Sequence, residues 1–396
     1  MIEKFYICGF KSIEDLEFEP GAVNVLVGAN GSGKSNLLEA IGVLSAAARG
    51  RVDDEALLRR GVRPGVPALY KSSFSGGLQP KQITFEAQNS QASYAVSLHN
   101  PLKDPLPAWK YKNESLQQGG KKIVGRGPRD VHKYSPTEGL AAARAAELAP
   151  KYPAAYNFLN ELQEFAIYCP DTLTLRGLVP DPQTRAPIGL VGGQLAIAVS
   201  DALTSKKKRS DWGRKVKRQA LALIDWAKSY GTAPAASMPL SSSVASTQRV
   251  IRFEDRFMKS PRNVLSGYDA SEGALYVLFH AVLAAHPLTP PIYAVDNADH
   301  ALNPRLAREL LKHICLWNAK SPHPRQIFLT TQNPLALDGL PLQDEMVRLF
   351  TVSRTEKGRT TIRRIILDKK LQQMARQGWT LSRLWVKGHL GGVPNV

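Results

Sequence analysis

The chain has 396 residues, 43% of them hydrophobic, which is enough for one large domain or two ordinary ones with a sizeable core. Its formal net charge of +18 points to an anionic partner, and the three scattered cysteines, Cys8, Cys169 and Cys315, read as reduced core thiols rather than a metal site. A run of about 18 apolar residues is missing, which excludes a membrane-spanning helix, and the opening MIEKFYICGF lacks the pattern of a signal peptide, so a cytoplasmic protein is expected.

In chain order, Ile2–Cys8 and Ile13–Phe18 are predicted strands, and Val23–Val27 is a short apolar run of the buried-strand type. A glycine-rich turn follows, then a predicted helix over 34–47 with apolar Leu37, Leu38, Ile41 and Leu44. Residues 82–87 and 93–98 are strand candidates, and 112–130 read as a loop rich in Lys, Gly and Gln. Residues 139–168 read as helical, 170–187 as proline-punctuated loop, and 195–203 as the start of another helix. Ser205–Lys228 is a predicted basic helix whose apolar side carries Trp212, Val216, Leu221 and Trp226, and 232–247 reads as a flexible link. Beyond 262, helices are expected over 272–285 and 305–317, and short buried strands at 292–295, 326–329 and 347–352.

Strands and helices alternate at both ends of the chain and the middle is helical, which predicts an α/β fold with a sheet built from both termini. The expected organisation is an N-terminal lobe over 1–135, a helical, basic insertion over 136–261 and a C-terminal lobe over 262–396. Charge is localised: residues 201–262 hold 14 Lys and Arg against 5 Asp and Glu, and residues 351–396 hold 10 against 2. The runs Lys206-Lys207-Lys208-Arg209 and Arg214-Lys215 with Lys217-Arg218, beside Trp212, suit a nucleic-acid backbone, as do Arg363, Arg364, Lys369, Lys370, Arg376, Arg383 and Lys387. Docking to an acidic protein and a merely solubilising surface fit the same charges.

Gly28-Ala29-Asn30-Gly31-Ser32-Gly33-Lys34-Ser35 matches G-x-x-x-x-G-K-[ST] between an apolar strand and an amphipathic helix. Glycines let backbone N–H groups turn inward around phosphates, and the helix beginning at Lys34 points its positive end at them. In this reading Lys34 meets the β- and γ-phosphates of ATP and the Ser35 hydroxyl coordinates Mg²⁺. The second carboxylate-bearing strand that such a site needs is Ile292–Val295, ending in Asp296 as the other Mg²⁺ ligand.

With these motifs in view, the chain resembles the RecF, SMC and OLD-type ATPases of the ABC class. The resemblance rests on Phe10-Lys11-Ser12-Ile13, on the segment from Asn24 into the glycine-rich loop, and on Asn36-Leu37-Leu38-Glu39-Ala40-Ile41. Asp296-Asn297-Ala298-Asp299-His300-Ala301-Leu302-Asn303-Pro304 resembles the Walker B and D-loop segment, and Leu329-Thr330-Thr331-Gln332-Asn333-Pro334 the switch strand. Ser271-Glu272-Gly273, about 25 residues before Asp296, resembles the shortened signature motif, although alone it reads as a helix N-cap with an acidic first turn. The resemblance implies a P-loop ABC-type ATPase head, a mixed sheet with helices on both faces plus a mostly helical insertion. It also implies that Gly28, Asn30, Gly31, Ser32, Gly33, Lys34, Ser35 and Asn36 bind ATP, and that Ser271, Glu272 and Gly273 complete the site of a second subunit, giving an ATP-closed homodimer or a higher oligomer.

The sequence departs from the family at two catalytic positions. Asn297 stands where the family has a glutamate that deprotonates the attacking water, and Gln332 where it has the switch histidine. An amide positions water but accepts no proton, and losing a general base costs roughly two to four orders of magnitude in rate. Asp299 is a candidate substitute. Only Glu356 and Asp368 occur after Ser353, too few acids for a metal-dependent nuclease. The expected function is therefore a scaffold or sensor with slow or impaired hydrolysis, serving a separate nuclease or toxin in anti-phage defence. The alternative is a RecF-like DNA-binding repair ATPase.

Overall fold

The computed structural model describes residues 1–75, 77, 79–130, 133–204, 210–241 and 248–392. The chain opens with β1 (Lys4–Phe10), β2 (Ile13–Phe18) and β3 (Val23–Val27), then the helix Lys34–Ala48. β4 (Ile83–Gln88), β5 (Ala92–His99), β6 (Lys110–Gln118) and β7 (Lys121–Arg126) join β1 and β2 in a six-stranded antiparallel sheet, ordered β2-β1-β4-β5-β6-β7. The loop expected over 112–130 is thus largely a hairpin. Gly119 and Gly120, with φ +57° and +76°, make its tight turn.

The helical stretch expected over 139–168 divides into short helices, the longest Pro153–Gln163, and then ends in β8 (Ala166–Tyr168). Helix Leu195–Val199 continues through a wider turn to Thr204, and the basic helix spans Asp211–Leu223. β9 (Ala227–Pro234) occupies part of the expected link, and it pairs with β10 (Arg249–Asp255), which pairs with β11 (Val264–Ser266). The basic run Lys206, Lys207, Lys208 and Arg209 and residues 242–247 of the expected link lie outside the described residues. Helix Glu272–Ala285, β12 (Ile292–Val295), helix Pro304–Lys320, β13 (Gln326–Thr331), β14 (Val347–Arg354) and β15 (Thr360–Ile365) follow.

The central sheet runs β15-β14-β3-β13-β12-β8, with β8, β12, β13, β3 and β14 parallel and β15 antiparallel. Segment 136–261 therefore supplies an edge strand to this sheet as well as its helices. Because side chains alternate along a strand, the sheet divides its residues between two cores. Val23, Val25, Val295, Leu329 and Leu349 face the core of helices Glu272–Ala285 and Pro304–Lys320. Leu26, Ala294, Phe328 and Phe350 face the core shared by helix Lys34–Ala48 and the antiparallel sheet. Both faces being covered explains why β3 and β12 are almost continuously apolar.

Among the described residues, no helix is long and apolar enough to cross a membrane. His280, buried on helix Glu272–Ala285, lies 3.1 Å from the Ala298 carbonyl just beyond β12. Burial pushes its pKa from 6.5 down to about 4, against the pull of that carbonyl. The unfolded chain therefore takes up a proton that the fold refuses. Stability from this group is intact above about pH 6.5 and is lost as pH falls towards 4. Denaturant unfolding of wild type and His280→Gln across this range should show a steeper acid loss for wild type; parallel profiles would contradict the assignment.

Candidate functional site

The ends of the parallel strands lie level. Thr331 of β13 pairs with Val27 of β3, and Val295 of β12 pairs with Leu329 and with Tyr168 of β8. Gly28, Asp296 and Gln332 consequently leave the sheet side by side at its carboxyl edge, where α/β sheets present ligand sites.

The loop from Gly28 to Gly33 is shaped by close approach. A side chain at Gly28 would come within 2.1 Å of the Val352 carbonyl, and one at Gly33, φ +108°, within 2.2 Å of the Thr360 hydroxyl. Thr360 donates to the Ser32 carbonyl at 3.0 Å and shares a 2.7 Å hydrogen bond with the Ser12 hydroxyl. Asn36 donates to Ser12 at 2.7 Å, so it braces the loop from the helix side. The Ala29 N–H donates to the Gly392 carbonyl at 3.1 Å. Asn30 and Gly31 stay exposed at the tip, whereas the Ser32 hydroxyl is buried without a partner.

Lys34 is buried and its ammonium donates to the Gly28 and Ala29 carbonyls at 2.7 and 2.9 Å, which holds the charge inside the loop. Burial lowers its pKa, opposed by the nearby Asp296 and Asp299. The Ser35 hydroxyl donates to Asp296 Oδ2 at 2.8 Å and the Thr330 hydroxyl to Asp296 Oδ1 at 2.5 Å. One hydroxyl and one carboxylate are the protein donors that a Mg²⁺–nucleotide site uses, the ion's other ligands being water and phosphate oxygens. An unpartnered hydroxyl and an inward ammonium suit the phosphates themselves.

Asn297 adopts φ +54°, a left-handed backbone that Asn tolerates. Its N–H donates to Thr330 Oγ1 at 2.7 Å, and its side-chain oxygen lies 3.4 Å from Gln332 Nε2. The two departures from the family pattern thus face each other as an amide pair. Asp299 turns towards β13, where Oδ2 accepts from the Asn333 N–H at 3.2 Å. Burial raises its pKa, against bonds from Thr331 and Asn333.

Ser271 and Glu272 are exposed at the start of helix Glu272–Ala285, and Ser271 makes no capping bond. Its hydroxyl accepts instead from Trp226 Nε1 at 3.2 Å. A side chain at Gly273 would approach Leu306 to 3.1 Å. Hydrogen bonds and charge interactions thus gather Lys34, Ser35, Asp296, Asn297, Asp299 and Gln332 within one chain, whereas Gly273 lies beside Ala301, Leu302 and Leu306.

Sequence reasoning missed Thr360 as a brace and Thr330 as the link between Asp296 and Asn297. Thr330 lay in a quoted motif, whereas nothing local to Thr360 indicated that it would meet a loop 328 residues earlier. Trp212 keeps to the apolar side of the basic helix as its periodicity predicts, where its Nε1 donates to the Ala284 carbonyl at 3.1 Å and its ring packs against the core, so it anchors the helix. Arg214, Lys215 and Arg218 remain exposed on that helix. Arg363 donates to the Leu390 carbonyl and Arg383 stacks 4.4 Å from the Trp379 ring, so part of the C-terminal charge is used internally.

Fold and loop geometry define an ABC-type P-loop ATPase head. The family described as "AAA domain, putative AbiEii toxin, Type IV TA system" matches residues 23–110 and 238–338. The DNA replication and repair protein RecF of Arthrobacter sp. (strain FB24) is 39% identical over 106 residues, 26% of this chain and 25% of that protein. RecF of Renibacterium salmoninarum is 36% identical over 106 residues, 26% of each chain. The matched stretch spans about a quarter of the length of these relatives. A solved SMC head bound to the C-winged helix domain of ScpA superposes with a TM-score of 0.56 at 13% identity, over 94% of this chain and 99% of that one. The chain thus has the fold of a P-loop ATPase head of the SMC type and is similar in sequence to RecF over about a quarter of its length.

Lys34→Ala is expected to weaken nucleotide binding at least about tenfold, since it removes a charged hydrogen-bond donor to the phosphates. Titration with a fluorescent ATP analogue reads this directly, and unchanged affinity would move the phosphate site elsewhere.

Proposed function

We propose that this chain is an ATP- and Mg²⁺-binding subunit that closes into a homodimer around nucleotide and hydrolyses it slowly, acting in the cytoplasm as a scaffold or sensor for a separate effector in anti-phage defence. Gly28–Asn36 cradle the phosphates, and Ser35 and Asp296 hold the metal. Ser271 and Gly273 of one subunit face the γ-phosphate bound by the other, so that ATP favours the closed state by binding it better. The family match whose description includes a toxin supports the effector setting.

The observation that carries the reading is the Asn297–Gln332 amide pair. Two amides can orient water beside Asp296, but neither takes its proton. Asp299 is the carboxylate nearest to that task, although one of its oxygens is engaged by Asn333. Sedimentation velocity with ATP and Mg²⁺ should give a dimer, and with ADP a monomer. Turnover should lie well below about 1–10 per second and rise in Asn297→Glu. Wild-type turnover within that range, or a monomer in ATP, would overturn the reading.

The second reading, a RecF-like DNA-binding ATPase, is favoured by the RecF similarity together with the exposed Arg214, Lys215 and Arg218. Duplex binding would then fall with salt at a log–log slope of about −0.9 per phosphate contacted. Replacing these three residues by Glu should flatten the slope by up to about three units while leaving ATP binding unchanged. If the variant loses a protein partner in co-purification instead, with DNA binding weak from the outset, the first reading gains. Loss of neither makes this face a solubilising surface.

A further inference from the structure

The far end of helix Lys34–Ala48 carries a second cationic feature that the nucleotide reading does not use. A cavity of about 400 Å³ opens there, lined by Arg49, Arg59, Arg60, Arg185, Glu164 and Gln183. Four guanidiniums thus meet one carboxylate. Ser45, which receives the Arg60 Nε at 2.8 Å, lies eleven residues along the helix from Lys34, about 16 Å at ~1.5 Å per residue. The cavity is therefore separate from the glycine-rich loop.

Its cations fall into two kinds. Arg60 and Arg185 are fixed: Arg60 also donates to the Ala56 and Gln163 carbonyls at 2.8 and 3.0 Å, and Arg185 to the Arg59 and Phe165 carbonyls at 3.0 Å each. Carbonyl oxygens orient these groups, and the one lining carboxylate, Glu164, is shared between Arg185 at 3.4 Å and Arg49 at 3.1 Å, so the cations outnumber the charge that could neutralise them. Burial pushes the Arg60 pKa down to about 10, and Arg185 and Arg49 push it further the same way, so the cations repel one another across the cavity. Arg49 and Arg59 are the adjustable pair, with side chains 61% and 67% exposed. Each is held only by a surface ion pair, Arg49 with Glu164 at 3.1 Å and Arg59 with Glu55 at 2.7 Å, of a kind that solvent weakens and a ligand can displace.

We propose that this cavity is a binding site for a small phosphoanion of mononucleotide size, gripped by Arg49 and Arg59 over the fixed Arg60 and Arg185. Guanidinium forks match phosphate oxygens two at a time, and convergent forks favour a compact, multiply charged phosphate over the single charge of a phosphodiester. The volume falls within the range of small-molecule sites. Gln183 adds a neutral side chain to the lining.

The test uses the full chain and two probes, inorganic pyrophosphate and ADP, titrated calorimetrically at low salt. Wild type should bind pyrophosphate at two sites and Lys34→Ala at one. Adding Arg49→Ala and Arg59→Ala to Lys34→Ala should weaken the remaining site at least about tenfold without shifting the melting temperature. In the wild-type background the same double substitution should leave one pyrophosphate site, a readout that does not depend on Lys34→Ala folding. One site in wild type that the arginine substitutions leave unchanged overturns the proposal, as does a remaining site that takes oligonucleotide and neither probe. A failed glycine-loop assignment would show separately, as Lys34→Ala binding both probes like wild type.

Discussion

A single carboxylate suspended between two hydroxyls sets the geometry of the site. Asp296 accepts from Ser35 on one oxygen and from Thr330 on the other, and Thr330 in turn receives the N–H of Asn297. Three segments, the glycine-rich loop, the end of β12 and the end of β13, are thereby locked to one another. The lock works only because the parallel ladder brings Val27, Val295 and Thr331 to one edge of the sheet. Each hydroxyl is fixed in a rotamer that faces the carboxylate, so the site is organised by the protein before any ion or phosphate reaches it.

The central sheet also ties the two halves of the chemistry together mechanically. Its strands send alternate residues into two cores, one holding helix Lys34–Ala48 and the other helix Glu272–Ala285. The bond from His280 to the Ala298 carbonyl joins the second helix to the loop that follows Asp296. Interiors packed to crystal-like density transmit small displacements rather than absorbing them.

Much of this was legible from residues alone, where the physics is local. Val23–Val27, Ile292–Val295 and helix Glu272–Ala285 have both faces or a whole circumference buried, and continuous apolar runs announce that. Glycines and Lys34-Ser35 announce the loop because no other residue types fit it. Elements whose burial depends on distant partners were hidden. β6 buries Glu114, a charged residue that accepts the Leu140 and Ala141 N–H groups, and a register shift beside Lys112 breaks its alternation, so the strand reads as loop. β8 has three residues and follows directly on a helix, too short for any period to show. β9 begins four residues after the basic helix ends and carries Gly231 and Pro234, which favour turns in isolation and are tolerated in an outer strand of its sheet. At the site, the type of each residue was readable but not its direction, as the turn of Asp299 towards Asn333 shows.

The brace that Thr360 places on Ser32 has a consequence for the order in which the protein becomes competent. The loop emerges from synthesis early, whereas the hydroxyl that holds its carbonyl and fills the space beside Gly33 comes 328 residues later. β3, too, pairs on both sides with strands from the last third of the chain, β13 and β14. Contacts of such sequence separation form late, because the chain between them must first be ordered. A nascent N-terminal lobe therefore carries the nucleotide motif in full while lacking the support that shapes it. Timing is thus written into the topology: the glycine-rich loop gains its brace only when the strands of the last third of the chain have been made and docked.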